Sequence, residues 1–232
     1  MTHPRLSIDA MSTFNWSFDQ DLALWKEVGV HYAGLLISKI DDDPSAKFAR
    51  LRAAGIQSAT VIVGSFDLQH PETWEKTHAN HAAIIDRVAE TGGHSVYFTP
   101  GRTTGAAWGE VLEVFAQAVA PSVVYARQRG VRLAIEPSLR TDVSFVNTLR
   151  DAIDVAERTG VEIVADFGNM WMERDARQVL KRAGPHLALV QICDVVIGGY
   201  GRPAPGGRVH IGEGELPLQR LMQEVQIGRA HV

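Results

Sequence analysis

The sequence predicts an α/β protein built as a (β/α)8 barrel that is incomplete, with about seven strand–helix units and strand eight missing. Three observations predict it. Apolar strand-like runs alternate strictly with helix-like segments along the 232 residues, the pattern of a parallel sheet with helices outside. The turn after the first strand, residues 10–15, contains no glycine, whereas the competing doubly wound sheet calls for a glycine-rich phosphate turn there. Late strands end in acids or amides, and crossovers return parallel strand tips to one rim.

Each element has a local reason. Residues 6–10 are a short apolar strand and 12–18 a loop. Residues 19–28 form an amphipathic helix with Leu22, Leu24, Trp25 and Val28 on its apolar side, stopped by Gly29. Strand 31–37 precedes helix 44–54, closed by Gly55, and strand 56–63 is rich in β-branched residues. Helix 71–91 ends at Gly92–Gly93, and its His78 and His81 read as solvent-facing. Strand 95–98 leads through loop 99–105 to helix 108–129, which Pro121 should kink or restart. Helices 143–159 and 173–183, stopped by Gly160 and Gly184, separate the last three strands. A final helix begins in 216–225, with Pro217 suited to its first turn.

Composition narrows the function classes. The chain is 45% hydrophobic and 22% charged, ordinary for one α/β domain. A net charge of −4 offers no basic field for nucleic acid. The single cysteine, Cys193, excludes an internal disulfide or a cysteine zinc cluster and reads as a small core residue. The opening residues MTHPRLSIDA lack a charged-then-apolar leader pattern. No apolar run approaches a membrane span, so the expectation is a cytoplasmic protein.

The chemistry lies in three strand ends. GVRLAIEP (130–137) delivers Glu136, VEIVAD (161–166) delivers Asp166, and LALVQICD (187–194) delivers Gln191 and Asp194. Glu136, Asp166 and Gln191 are spaced 30 and 25 residues apart, one crossover each. Singly, a carboxylate at a strand end is a helix cap or ion-pair partner. Three in successive units point to a shared site, and hard oxygen donors suit Mg²⁺ or Mn²⁺. Asp194 reads as a group that orients a ligand without touching the ion.

AIEP, ADFGN, VQICD and RVHIGEGELPL together resemble the xylose isomerase-like TIM barrels, the sugar phosphate isomerase/epimerase family, over residues 5–225. The resemblance implies one divalent ion (Mn²⁺ or Mg²⁺, with Co²⁺ or Zn²⁺ as alternatives) held by Glu136, Asp166 and Gln191. The family's fourth ligand, a strand-eight Glu, is absent here. It further implies that Arg208, in an R-x-x-x-G-x-G loop, contacts substrate; a solvated loop arginine is the alternative. Asn169 stands where many members carry His, and can hydrogen-bond a hydroxyl but not shuttle a proton. Gln191 replaces the His of most sugar epimerases and resembles the 3-dehydroshikimate dehydratases. His210 could carry a proton. Phe14 and Trp16 could wall a substrate, and Lys39 could reach the rim. Glu213 and Glu215 should favour the next helix N-terminus.

The implied activity is isomerisation or epimerisation of a small sugar or polyhydroxy acid by proton transfer through a metal-stabilised enediolate. Glu136 is then both a ligand and a proton-transfer group. Dehydration at the same site is the alternative, and a non-catalytic sugar-binding barrel is a third reading. The related endonuclease IV-like class is disfavoured, because Thr99, Asn169 and Arg208 stand where it carries histidines. No nucleic-acid or membrane partner is expected; homo-oligomerisation stays open.

The last six residues, IGRAHV, back-translate as ATC GGA AGA GCA CAC GTC, a common sequencing-library adapter whose next codon is a stop; CAG supplies Gln226. Residues 226–232 are therefore expected to be adapter translation, leaving 1–225 as the truncated barrel domain. Such a chain would expose the edges of its first and last strands and lack a ligand, so the expectation for it is instability and inactivity.

Overall fold

The computed structural model describes residues 5–197 and 207–229. Seven strands follow one another in sequence order through one sheet: β1 (Ser7–Asp9), β2 (Tyr32–Leu36), β3 (Gln57–Ile62), β4 (Ser95–Phe98), β5 (Arg132–Ile135), β6 (Glu162–Asp166) and β7 (Leu187–Gln191). That order decides between the two architectures. A doubly wound sheet reverses its strand order at a switch point; a barrel does not. The fold is that of an incomplete (β/α)8 barrel. No helix among the described residues is long and apolar enough to cross a membrane.

Contacts divide the chain into two compact units. The first runs up to Phe98 and includes Gln117–Ala134; the second is Thr99–Ala116 together with everything from Ile135 onward. In the first unit β1 to β4 pair in parallel. Helix α1 (Phe18–Val28) starts at a capping box: the Gln20 N–H donates to Ser17 Oγ, and the Ser17 N–H donates to Gln20 Oε1 at 2.9 Å. Gly29, at φ 71°, ends it. Its apolar side buries Phe18, Leu22 and Trp25. Helix α2 (Pro44–Ala53) buries Phe48 and Leu51.

Helix α3 (Trp74–Glu90) corrects the reading of its histidines. His81 is buried, along with Ile84, Ile85 and Val88, at the i, i+3, i+4, i+7 spacing of a core-facing stripe. His78 is partly buried, and its Nδ1 lies 2.7 Å from Ser122 Oγ. Helix α4 (Trp108–Gln128) runs continuously through Pro121 rather than restarting there.

In the second unit β6 and β7 pair in parallel, with Asp166 in register with Gln191. Helix α5 (Leu149–Thr159) begins six residues later than the sequence pattern suggests. Thr148 caps it, and the buried Glu173 carboxylate accepts the Leu149 N–H at 3.0 Å and the Arg150 Nε–H at 2.9 Å. Glu173 is therefore spent on that cap. A single helical turn, α6 (Phe167–Met170), follows β6, and α7 (Ala176–Ala183) begins after Asp175. The chain leaves the sheet after Gln191 instead of continuing to Asp194. A small antiparallel pair, β8 (Asp194–Val195) with β9 (Arg208–Val209), comes next. Helix α8 (Leu218–Arg229) closes the described chain. Of the expected adapter tail, residues 230–232 lie outside the described residues.

Candidate functional site

The residues that matter sit in the second unit, at the ends of β5, β6 and β7. Glu136 follows the last residue of β5, Asp166 is the last residue of β6, and Gln191 is the last residue of β7. Asp166 is buried, its side chain 5% exposed. Its Oδ1 accepts the Gly168 N–H at 2.5 Å and the Cys193 thiol at 3.1 Å. Its Oδ2 accepts the Arg208 guanidinium through Nη2. Glu136 is half-buried, and its Oε1 accepts the Asn169 amide at 2.9 Å. Asn169 Oδ1 in turn accepts the Leu139 N–H at 3.4 Å. Asn169 thus straps the loop after β5 to the turn after β6.

These contacts set the electrostatics. Burial opposes the Arg208 charge, but the Asp166 carboxylate, with Cys193 and Glu136 nearby, outweighs it and holds the guanidinium protonated above its usual range. Burial first, then the Asp166 charge, pushes the Cys193 thiol up to about 12, so it remains a neutral donor. Cys193 is half-buried against a carboxylate, not in the apolar core.

Asp194 is engaged by the backbone of the loop that follows it. It is buried and accepts the backbone N–H groups of Gly212 (2.9 Å), Val195 (3.0 Å), Gly214 (3.1 Å) and Leu216 (3.2 Å). Burial works against its ionisation, yet those donors win and hold the carboxyl below its ordinary value. Its work is to fold loop 210–216 back on β8, which fixes the position of Arg208. His210 is exposed, and its carbonyl accepts the Glu213 N–H at 3.0 Å. Glu215 accepts the Ile197 N–H at 2.7 Å rather than serving the helix.

Lys39, Trp16 and Phe14 belong to the first unit. Lys39 Nζ donates to Ala10 O (3.0 Å), Thr13 O (2.8 Å) and the buried Asp21 carboxylate (2.7 Å). Two of the ammonium donors are committed to the turn after β1 and the third to Asp21 on α1. Phe14 and Trp16 are 51% and 43% exposed.

The donor set fits a hard divalent ion. Two carboxylates and an amide oxygen lie at the tips of successive strands, and a guanidinium already stands at them as a positive charge. Among the described residues no three His, Cys, Asp or Glu side chains group so as to hold an ion by themselves; Gln191 stands in register with Asp166 on the neighbouring strand.

The profile of the xylose isomerase-like TIM barrel family matches residues 22–228. The chain belongs to that family. No protein among those of curated function matches the sequence. Among solved structures, protein SMc04130 from Sinorhizobium meliloti 1021 superposes with a TM-score of 0.85 at 21% identity, over 97% of this chain and 86% of its own. The IolI protein with a bound zinc atom gives 0.79 at 18%, over 95% and 84%. The 3-keto-D-glucoside 4-epimerase YcjR from E. coli gives 0.78 at 18%, over 97% and 88%. At such identities these likenesses establish the fold.

Proposed function

We propose that this chain is the barrel of a divalent-cation-dependent isomerase or epimerase acting on a small sugar or sugar phosphate. The observation that carries the reading is the placement of Glu136, Asp166 and Gln191 at three successive strand ends, with Asn169 bonded to Glu136. Membership of the family and the epimerase among its structural neighbours support it. The zinc in IolI supports an ion in such a fold, with Mn²⁺ or Mg²⁺ favoured here by the all-oxygen donor set.

Glu136, Asp166 and Gln191 would hold the ion, which when bound supplies electrophilic stabilisation to a substrate oxygen gaining charge. The chain's own residues do the rest. Glu136 removes a proton from the carbon beside a carbonyl, and Asn169 fixes which carboxylate oxygen faces that carbon. Arg208 binds the charged or hydroxyl-rich end of the substrate through its planar fork. Return of the proton to the other face, or to the neighbouring carbon, gives epimer or isomer. Loss of a β-hydroxyl instead gives dehydration, a reading that Gln191 favours.

The test is hydrogen exchange into deuterium oxide from ketoses and 3-keto sugars with Mn²⁺ present, followed by mass spectrometry. Exchange in the full-length parent barrel and at least a hundredfold loss in its Glu136→Gln variant, with unchanged circular dichroism, is the expected outcome. Equal exchange in the variant sinks the assignment. Release of water would select the dehydratase reading.

A further inference from the structure

Asp166 is held directly by the backbone, whereas Arg208 reaches it at the end of a long side chain. Oδ1 is engaged by the Gly168 N–H and the Cys193 thiol, so Oδ2 is the oxygen the loop side reaches. The Arg208 guanidinium takes that oxygen. Arg208 stands on a two-residue strand, and its side chain is one-third exposed against 5% for Asp166. A long, partly solvated side chain can swing away while the carboxylate stays in place. Without a positive partner the buried carboxylate would be left uncompensated, which is strongly unfavourable. With a divalent ion on Oδ2, the guanidinium would be a like charge at contact distance. The two positive partners compete for that oxygen.

We propose that Arg208 is the chain's own occupant of the cation position: its guanidinium and a divalent ion are alternative partners of Asp166, and loading the ion turns Arg208 loose to take hold of the substrate. The proposal rests on the reading above that Asp166 is a cation ligand. It makes substrate capture by Arg208 conditional on a loaded site. It also makes Arg208 a brake on cation affinity.

The test uses the whole chain grown with nitrogen-15 arginine. In cation-free protein the Arg208 guanidinium N–H resonance, identified by its loss in R208K, exchanges slowly with water. A Mg²⁺ titration should move it to the position of a free guanidinium, with the midpoint that calorimetry gives for Mg²⁺ binding. R208M should bind Mn²⁺ about tenfold more tightly than the parent, and D166N should lose Mn²⁺ binding. A resonance unmoved at saturating Mg²⁺, or an R208M affinity no tighter than the parent's, overturns the proposal while D166N still vouches for the ligand. Undiminished Mn²⁺ binding by D166N, or none by any form, overturns the reading beneath it and the proposal together.

Discussion

The imidazole of His81 lies against Phe66 and Phe98, ring centroids 5.1 and 5.2 Å away, with Nε2 2.8 Å from the Gly64 carbonyl. Nδ1 is buried without a partner. A carbonyl partner requires Nε2 to carry the hydrogen, so Nδ1 is a bare acceptor and the ring is neutral. Burial, reinforced by His78, lowers the pKa from 6.5 to about 4, the Gly64 contact opposing. The unfolded chain therefore takes up this proton first, and stability falls as pH drops from about 6.5 through 4. The shift is worth roughly 3 kcal/mol. The urea midpoint of the parent should fall across that window, and H81F should lose that part of the slope while keeping the ring packing. An unchanged slope in H81F would refute it. Its polarity disguises it in the sequence, although its position does not: His81 stands three, four and seven residues before Ile84, Ile85 and Val88. By contrast, the placement of Glu136, Asp166 and Gln191 at strand ends was legible, because a polar residue closing an apolar run is a local pattern.

At the scale of elements, the β8–β9 pair and loop 210–216 carry the least legible part of the site. The run 187–194 looks like one strand, since nothing in its composition marks a departure after Gln191. What takes the chain out of the sheet is Asp194, which gathers four backbone N–H groups that lie 1 to 22 residues further on. Such long-range polar capture has no signature in periodicity. It does leave one in the glycines. A Cβ at Gly214 would lie 2.1 Å from Asp194 Oδ1 and 2.7 Å from the Val195 nitrogen, so the carboxylate must move. Gly212 has a φ of 93° but open space around a Cβ. The two positions should therefore rank in a definite order. G212A costs about 1 kcal/mol, a left-handed backbone penalty. G214A costs about 2–4 kcal/mol, because bonds to a charged group are lost together. G214A should also release Arg208 from Asp166, read in the same guanidinium resonance. A chemical denaturation series gives the ranking; G212A costing as much as G214A would show that Asp194 is not the anchor.

Across the whole molecule, the alternation of strands and helices was sufficient to read the fold, because each crossover constrains only its neighbours and the strand order follows. Where helices begin was less legible: α5 starts at Thr148, supported by Glu173, 24 residues away from Leu149. The functional reading has a consequence at this scale too. An ion that binds the folded chain and not the unfolded one stabilises it by mass action, about 2.7 kcal/mol at a concentration a hundredfold above its dissociation constant. For a chain of 232 residues that corresponds to a rise in melting temperature of roughly 5–10 °C. Mn²⁺ should produce the rise, a chelator should reverse it, and D166N should abolish it. R208M changes sides between the two conditions. Without the ion it should melt below the parent, since the Asp166 carboxylate loses its countercharge. At a fixed low Mn²⁺ concentration it should gain more degrees than the parent, since no guanidinium has to leave. Differential scanning fluorimetry of the two chains, with and without Mn²⁺, reads all four values. Parallel melting of both chains under both conditions would mean that neither the arginine nor the ion acts through Asp166.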